Sequence, residues 1–401
     1  MDIREQKGKL IARTRTIKKL DDGFAVQSQN SKRFYFVDGN GVCNCPDCQT
    51  RGTKCKHGYA VQFFLQKITT AKNGAVVIQT KRLTYPQAWK AYNKSQETEK
   101  TRFLELLNDL IETPVETEQR GRGQPKISEH DLLFSSALKV YSQFSLRRFM
   151  SDLNEAKEKG FVEKKPCFAS VGHFIQKESL APQLKRLIQK SASVLKSVES
   201  KFSIDSTGFR TRHFSPYYQE KHGETKENRF MKLHAVIGCK TNIITACEVT
   251  EADGKGTGDC PFLQPLAIET ANNGFEIKEF TADMAYSSRE STEAISKLGG
   301  TAYIPYRSNA TGNSRGSLLW SKMFHYFQFN REKFMAHYHT RSNVESTFGA
   351  LKAKFNDCLK SKTLMAQKNE LLLKVLCFNI VQVIHETNEL GVETNFNQRV
   401  A

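Results

Sequence analysis

Lys201-Phe202-Ser203-Ile204-Asp205-Ser206-Thr207-Gly208 is an apolar run that meets an acid and then a small, turn-forming triplet. It reads as a strand that ends in a carboxylate facing a crevice. Phe280-Thr-Ala-Asp283-Met-Ala-Tyr286 repeats the layout further along the chain. Working outward, Lys232 to Ile237, Ile243 to Val249, Phe275 to Ala282 and Ala302 to Pro305 predict four more strands. Helical periodicity lies between them at Phe262 to Ala271 and Ser288 to Leu298, and two long helices at about 338–356 and 365–387 close the chain. Strands interleaved with helices predict an α/β domain over residues 201–390 with a five-stranded mixed sheet.

The first closing helix carries a third acid. Tyr338, Arg341, Glu345 and Lys352 fall within ~60° of arc at ~100° per residue, so they form one polar stripe. Val344, Phe348, Leu351 and Phe355 form an apolar stripe beside it. Such a helix packs on a core and still presents its acid and bases along one edge. Arg341 and Glu345 alone are an ordinary i,i+4 pair worth a few tenths of a kcal/mol. That reading leaves unexplained why Tyr338 and Lys352 share the stripe, and why two strand-borne aspartates precede it.

Three carboxylates suit metal-assisted phosphoryl transfer, in which two Mg²⁺ ions ~3.5–4 Å apart clamp the attacking and leaving oxygens. Mg²⁺ takes hard oxygen ligands, and a neighbouring base holds the flanking phosphates. The chain has 401 residues and a net charge of +18, spread over its length, which draws it to a polyanion backbone. Asp253 and Asp259 are nearby acids, but they sit in the Gly-rich stretch Asp253-Gly-Lys-Gly-Thr-Gly-Asp259, which reads as a solvated connection.

Tyr338-x₂-Arg341-x₃-Glu345-x₆-Lys352 has the spacing of the Tyr-Arg-Glu-Lys signature of bacterial insertion-sequence transposases with a DDE catalytic domain. Asp205-Ser-Thr-Gly and Ala282-Asp283-Met-Ala-Tyr286 resemble that family's first and second acid motifs, and Arg341-Ser-Asn-Val-Glu345-Ser-Thr-Phe348 is similar to its third. The resemblance covers about residues 121–387. It implies a ribonuclease H-like fold, catalytic Asp205, Asp283 and Glu345 holding Mg²⁺ or Mn²⁺, and Tyr338, Arg341 and Lys352 supporting DNA. It also implies cleavage of double-stranded DNA at transposon ends and strand transfer to target DNA by a 3′-hydroxyl. The expected setting is cytoplasmic and nucleoid-associated, with a homo-oligomer in the DNA complex. In the family a basic or polar residue often follows the second acid; here it is Met284. The interval from Asp283 to Glu345 leaves little room for the large β-strand insertion of some relatives. The alternative function is a transposase-derived, non-catalytic DNA-binding regulator, which would have no need of an intact acid triad.

The N-terminal part carries a second constellation. Cys43-Asn-Cys45 and Cys55-Lys-His57 supply three thiolates and an imidazole, a closed set suited to structural Zn²⁺. Cys48 is a fifth candidate, through a Cys45-x-x-Cys48 pairing. The spacing resembles the SWIM zinc finger over about residues 30–66, including the apolar helix after His57. The chain has ten cysteines, and with no leader-like apolar stretch in Met1 to Lys19 they predict one metal site plus buried thiols rather than a disulfide framework.

The domain organisation expected is 1–80 for a small β domain with the finger, 81–127 for a helix and linker, 128–200 for a helical segment, and 201–390 for the catalytic domain. Short strands are predicted at Leu10 to Ile17, Phe24 to Gln27 and Arg33 to Val37, and helices at His57 to Gln66 and from Thr84 to about Ile111. Residues 113–127 read as a linker. Ser128 is expected to cap a helix with Asp131 in its first turn. Further helices are expected from Ser145 to before Gly160, at Ala169 to Lys177 and from Leu184 to about Val198. Residues 128–177 fit either a helix-turn-helix that reads DNA or a bundle that packs on the catalytic core. Phe144, Phe149, Phe168 and Phe174 are expected in the core.

Overall fold

The computed structural model describes residues 3–20, 22–29, 31, 33–70, 88–111, 126–211, 230–252, 258–394 and 396. The chain divides into two compact units, Met1–Ala88 and Trp89–Ala401. Asp253, the first residues of the helix expected from Thr84, and residues 113–125 of the linker expected at 113–127 lie outside the described residues.

The first unit runs α1 (Ile3–Thr14), β1 (Ile17–Leu20), β2 (Gly23–Gln27), β3 (Phe34–Asp38), α2 (Pro46–Arg51) and α3 (Lys56–Thr70). The strands form an antiparallel sheet in the order β1-β2-β3. The strand expected at Leu10 to Ile17 is instead mostly helix. Gly8 and Ile11, one helical turn apart, are both buried, and α1 packs on α3 so closely that a Cβ on Gly8 would fall 2.4 Å from the Tyr59 Cβ. This helix–helix contact overrides the local alternation. A turn follows β3: Asp38 Oδ1 accepts the N–H groups of Asn40 and Val42 at 3.0 and 2.7 Å, and Gly41 takes a φ of 84°.

The second unit opens with helices α4 (Trp89–Leu110), α5 (Glu129–Ser142), α6 (Met150–Glu158), α7 (Phe168–Ile175) and α8 (Leu180–Ser193). Ser128 caps α5 by accepting from the Asp131 N–H, as its sequence predicts. Then come β4 (Lys201–Arg210), β5 (Phe230–Gly238), β6 (Ile244–Ala252), α9 (Leu263–Asn272), β7 (Glu279–Ala282), α10 (Arg289–Lys297) and β8 (Thr301–Tyr303). Four helices follow: α11 (Leu318–Phe329), α12 (Arg331–Tyr338), α13 (Ser342–Phe355) and α14 (Leu364–Leu390). The five strands form one sheet in the order β6-β5-β4-β7-β8. β4, β5 and β6 are antiparallel neighbours, and β4-β7-β8 are parallel, with α9 and α10 in the crossovers that parallel pairing requires. This mixed α/β sheet has the ribonuclease H-like order, as expected.

Helices α4 to α8 share one continuous apolar core with the sheet and α14. Phe149 and Phe174 lie in that core, whereas Phe144 and Phe168 are exposed, contrary to expectation. α14 is buried nearly all round. Its Asn379 covers the sheet edge, accepting from Ile244 N at 3.0 Å and donating to Ile244 O at 2.8 Å, so the backbone of an edge strand finds its partners inside the fold. Between β8 and α13 the chain forms α11 and α12, neither of them among the expected helices. They enclose a small aromatic cluster of Tyr303, Tyr306, Trp320, Phe327 and Phe334. No described helix is long and apolar enough to cross a membrane.

Candidate functional site

Asp205 does not end its strand. β4 continues to Arg210, because Asp205 to Arg210 pair with Ala235 back to Phe230 of β5. Its parallel partner stops earlier: the β4–β7 register ends at Ile204↔Ala282. Asp205 and Asp283 are therefore the next residues on two adjacent strands, whose backbones lie ~4.8 Å apart. Asp283 does sit at a strand end, and its carboxylate accepts the Met284 N–H at 2.6 Å to open a 3₁₀ turn at Met284–Tyr286. Arg307 braces that turn from outside by donating to Ala285 O at 3.1 Å.

Glu345 comes from the other wall. The expected helix over 338–356 is divided: α12 ends at Tyr338, a 3₁₀ turn spans His339–Arg341, and α13 starts at Ser342. Glu345 sits in the first turn of α13. The apolar stripe of Val344, Phe348, Leu351 and Phe355 is buried, each side chain contributing ~1.5–3 kcal/mol, and this fixes which edge of the helix stays free.

Arg341 joins the two walls. Its Nη2 donates to Asp205 Oδ2 at 2.8 Å and its Nη1 to Glu345 Oε1 at 2.9 Å. Glu345 is 65% exposed, while Asp205 and Arg341 are 19% and 17% exposed, so the Asp205 contact is the sheltered one. Burial raises the Asp205 pKa; the Ser206 N–H and Arg341 oppose this, and Asp283 and Asp259 reinforce it. Asp205, Asp283 and Asp259 thus share one neighbourhood. Tyr338 lies within the same field: burial raises its phenol pKa, and the charges of Arg341, Asp283, Asp205 and Glu345 all act on it. Lys352 is further along α13, its ammonium 5.3 Å from the Phe209 ring centre.

Asp259, read as part of a solvated connection, is instead held in place. Ser206 donates to it at 3.2 Å, Lys232 pairs with it, and His234 lies 3.6 Å away. Ser206 faces His234 across the β4–β5 pair, and Lys232 is two residues from His234, so the three share one face of the sheet. That period-2 pairing of Lys232 and His234 was the available signal. Tyr286, fully buried, completes the group; burial and then Asp259 and Asp205 push its phenol pKa up.

In the first unit, ligand atoms of Cys43, Cys45, Cys55 and His57 all lie within 4.8 Å of one another and all four residues are buried. His57 Nδ1 is 3.7 Å from Cys43 Sγ and 3.8 Å from Cys55 Sγ, close to a tetrahedral edge for zinc bonds of ~2.0–2.3 Å. Cys48 stands just outside the set: its sulfur accepts the Cys43 N–H at 3.4 Å and lies 3.5 Å from Thr53 O. Hydrogen bonds from Cys43 and His57 lower the Cys55 pKa to about 3, whereas the Cys55 sulfur raises the Cys43 thiol and burial raises Cys45. The crowded sulfurs cannot all ionise without a cation among them. No other described group of three or more His, Cys, Asp or Glu residues is as tight, so Asp205, Asp283 and Glu345 do not converge on a single point. A two-ion arrangement does not require that, since each ion takes only some of the carboxylates.

The sheet order and its acid-bearing edge define a ribonuclease H-like domain. Residues 196–380, spanning β4 to most of α14, match the family described as the transposase DDE domain. No curated protein matches the chain. Among solved structures it is similar to the piggyBac transposase synaptic complex with hairpin DNA, at 12% identity, with 74% of each chain covered and a TM-score of 0.36.

Proposed function

We propose that the chain is an active transposase that cleaves DNA at transposon ends and transfers the 3′-hydroxyl strand to target DNA. The observation that carries this reading is the adjacency of Asp205 and Asp283 on parallel β4 and β7, with Arg341 reaching from the start of α13 to Asp205 and Glu345. Asp205, Asp283 and Glu345 would hold Mg²⁺ or Mn²⁺, whose oxygen-seeking chemistry suits three carboxylates. Bound there, such ions supply charge stabilisation at the attacking and leaving oxygens of an in-line displacement. Arg341 holds the two walls together and offsets the acids' repulsion. The Tyr338 hydroxyl and the Lys352 ammonium are the groups that would hold the phosphates either side of the scissile one. In the first unit, Cys43, Cys45, Cys55 and His57 would hold a structural Zn²⁺, with Cys48 steadying Cys43 from behind.

The test is DNA strand joining by the purified full chain in Mg²⁺, using duplexes that carry the ends of the element encoding it. D205N, D283N and E345Q should each reduce joining about a thousandfold or more, with duplex binding retained. Wild-type joining by any of the three variants would remove that residue from the site. Binding without joining by the unmodified chain would favour the regulator.

A further inference from the structure

A second basic feature lies outside the acid cluster. The end of α5, the segment Phe144 to Leu146, α7 and the start of α14 enclose a cleft of about 640 Å³. Lys139 of α5 lines it, although only 7% of that residue is exposed. Among the described residues its ammonium has neither an ion pair nor a hydrogen bond. Glu370 attracts it from a distance, but the Glu370 oxygens already accept the Lys360 and Ser361 N–H groups at 2.7–3.0 Å and lie 3.9 Å from Lys374. Lys360 and Lys362 bring two further positive charges to the same wall.

The helix end adds to this. α14 has 27 residues and starts beside the cleft, with Thr363 both capping it and lining the space. The first N–H groups of a helix lack acceptors within it, and its N-terminus carries partial positive charge. An unpaired ammonium on a side chain this buried is costly. It is tolerated where a ligand brings the missing anion. Lysines, a hydroxyl at Ser145 and a helix N-terminus together describe an oxyanion site.

We propose that this cleft binds a backbone phosphate of double-stranded DNA, with Lys139 as its buried anchor and Lys362 at its mouth. The net charge of +18 makes a polyanion the fitting source of that phosphate. The proposal rests on the DNA part of the function above and not on its chemistry.

The experiment uses the full chain in EDTA, so that no phosphoryl transfer is read. Binding of a fluorescent 30-base-pair duplex is followed by anisotropy across a KCl series. Lys139→Met should weaken binding about tenfold and reduce the salt slope by about one phosphate contact. Without DNA, K139M should melt at or above the wild-type temperature, because it removes an unpaired buried charge. Lys362→Ala, at an exposed position, should reduce the slope in the same way and keeps the test open if K139M fails to fold. Unchanged affinity and slope in both variants would overturn the proposal. A K139M protein that melts lower and binds DNA normally would also overturn it, making Lys139 a structural partner of Glu370. Inorganic phosphate that stabilises the wild type but not K362A, with duplex binding unaltered in both variants, would assign the cleft to a free oxyanion and defeat the DNA assignment. Normal K139M and K362A effects in a chain that never joins strands would sink only the transposition reading.

Discussion

Asp205 is an acid whose protonated form the fold favours, since burial raises its pKa above the ordinary carboxylate value. Its contribution to stability is present below the unfolded pKa and is lost as pH rises through the raised folded value. At neutral pH the ionised carboxylate is therefore a cost in the metal-free protein. D205N should raise the melting temperature of that protein at pH 7.5 and leave it little changed near pH 3. Mg²⁺ should stabilise the wild type, and much less the variant, because binding to the native state shifts the folding equilibrium. Equal Mg²⁺ effects on both, in a scanning calorimeter, would separate Asp205 from the metal. The spacing of Tyr338, Arg341, Glu345 and Lys352 and the motif around Asp283 pointed to one neighbourhood, and the Arg341 contacts and shared electrostatics bring Asp205, Asp283, Glu345 and Tyr338 near one another. The local setting of Asp205 was not legible. Ser206-Thr207-Gly208 reads as a turn in isolation, but six residues of pairing with β5 keep it extended.

At the scale of elements, α1 shows the same conflict between local pattern and packing. Leu10 to Ile17 alternates like a strand, yet Gly8 and Ile11 recur at helical spacing and both are buried. Gly8→Ala should force α1 and α3 apart, since the added Cβ meets the Tyr59 Cβ and, at 2.9 Å, the Lys56 carbonyl. Overpacking of this kind costs ~1–3 kcal/mol, so α1 amides should exchange with solvent roughly tenfold faster or more. Unchanged exchange would mean that the two helices can separate freely. The strands of the larger sheet were legible because each is a short apolar run between turn residues. α11 and α12 were missed, although in α11 Trp320, Met323 and Phe327 recur at helical spacing, are all buried, and lie opposite Ser321, Lys322, His325 and Gln328. The break at His339–Arg341 was equally hidden, because a 3₁₀ turn leaves the i,i+3 and i,i+4 spacing almost unchanged.

For the molecule as a whole, the two units make separate cores. If zinc holds the first, its ligands link β3, α2 and α3, and their apolar surroundings are too few to replace it: Ile11, Phe24, Val26, Val37, Ala60 and Val61 are the buried non-cysteine members. Chelation should therefore open residues 34–66 to protease while the sheet and α14 stay protected. A metal-free protein whose first unit resists protease as before would end the zinc assignment. That Cys43, Cys45, Cys55 and His57 come together was legible from their spacing. That residues 128–177 form a bundle packed on the sheet was one of two readings the sequence left open, because a helix announces its apolar face but not what will cover it.

The unequal mounting of the acids has a mechanical consequence. β4 is clamped on both sides of Asp205: β7 pairs with it up to Ile204, and at its far end Arg210 bonds to Asp357 and Leu359 at 2.9 and 2.8 Å. Glu345 rides instead on a helix anchored by Val344 and Phe348, and only its side chain, more than half in solvent, is loose. One jaw is thus held by the backbone itself and the other by a single side chain, with Arg341 as the latch between them.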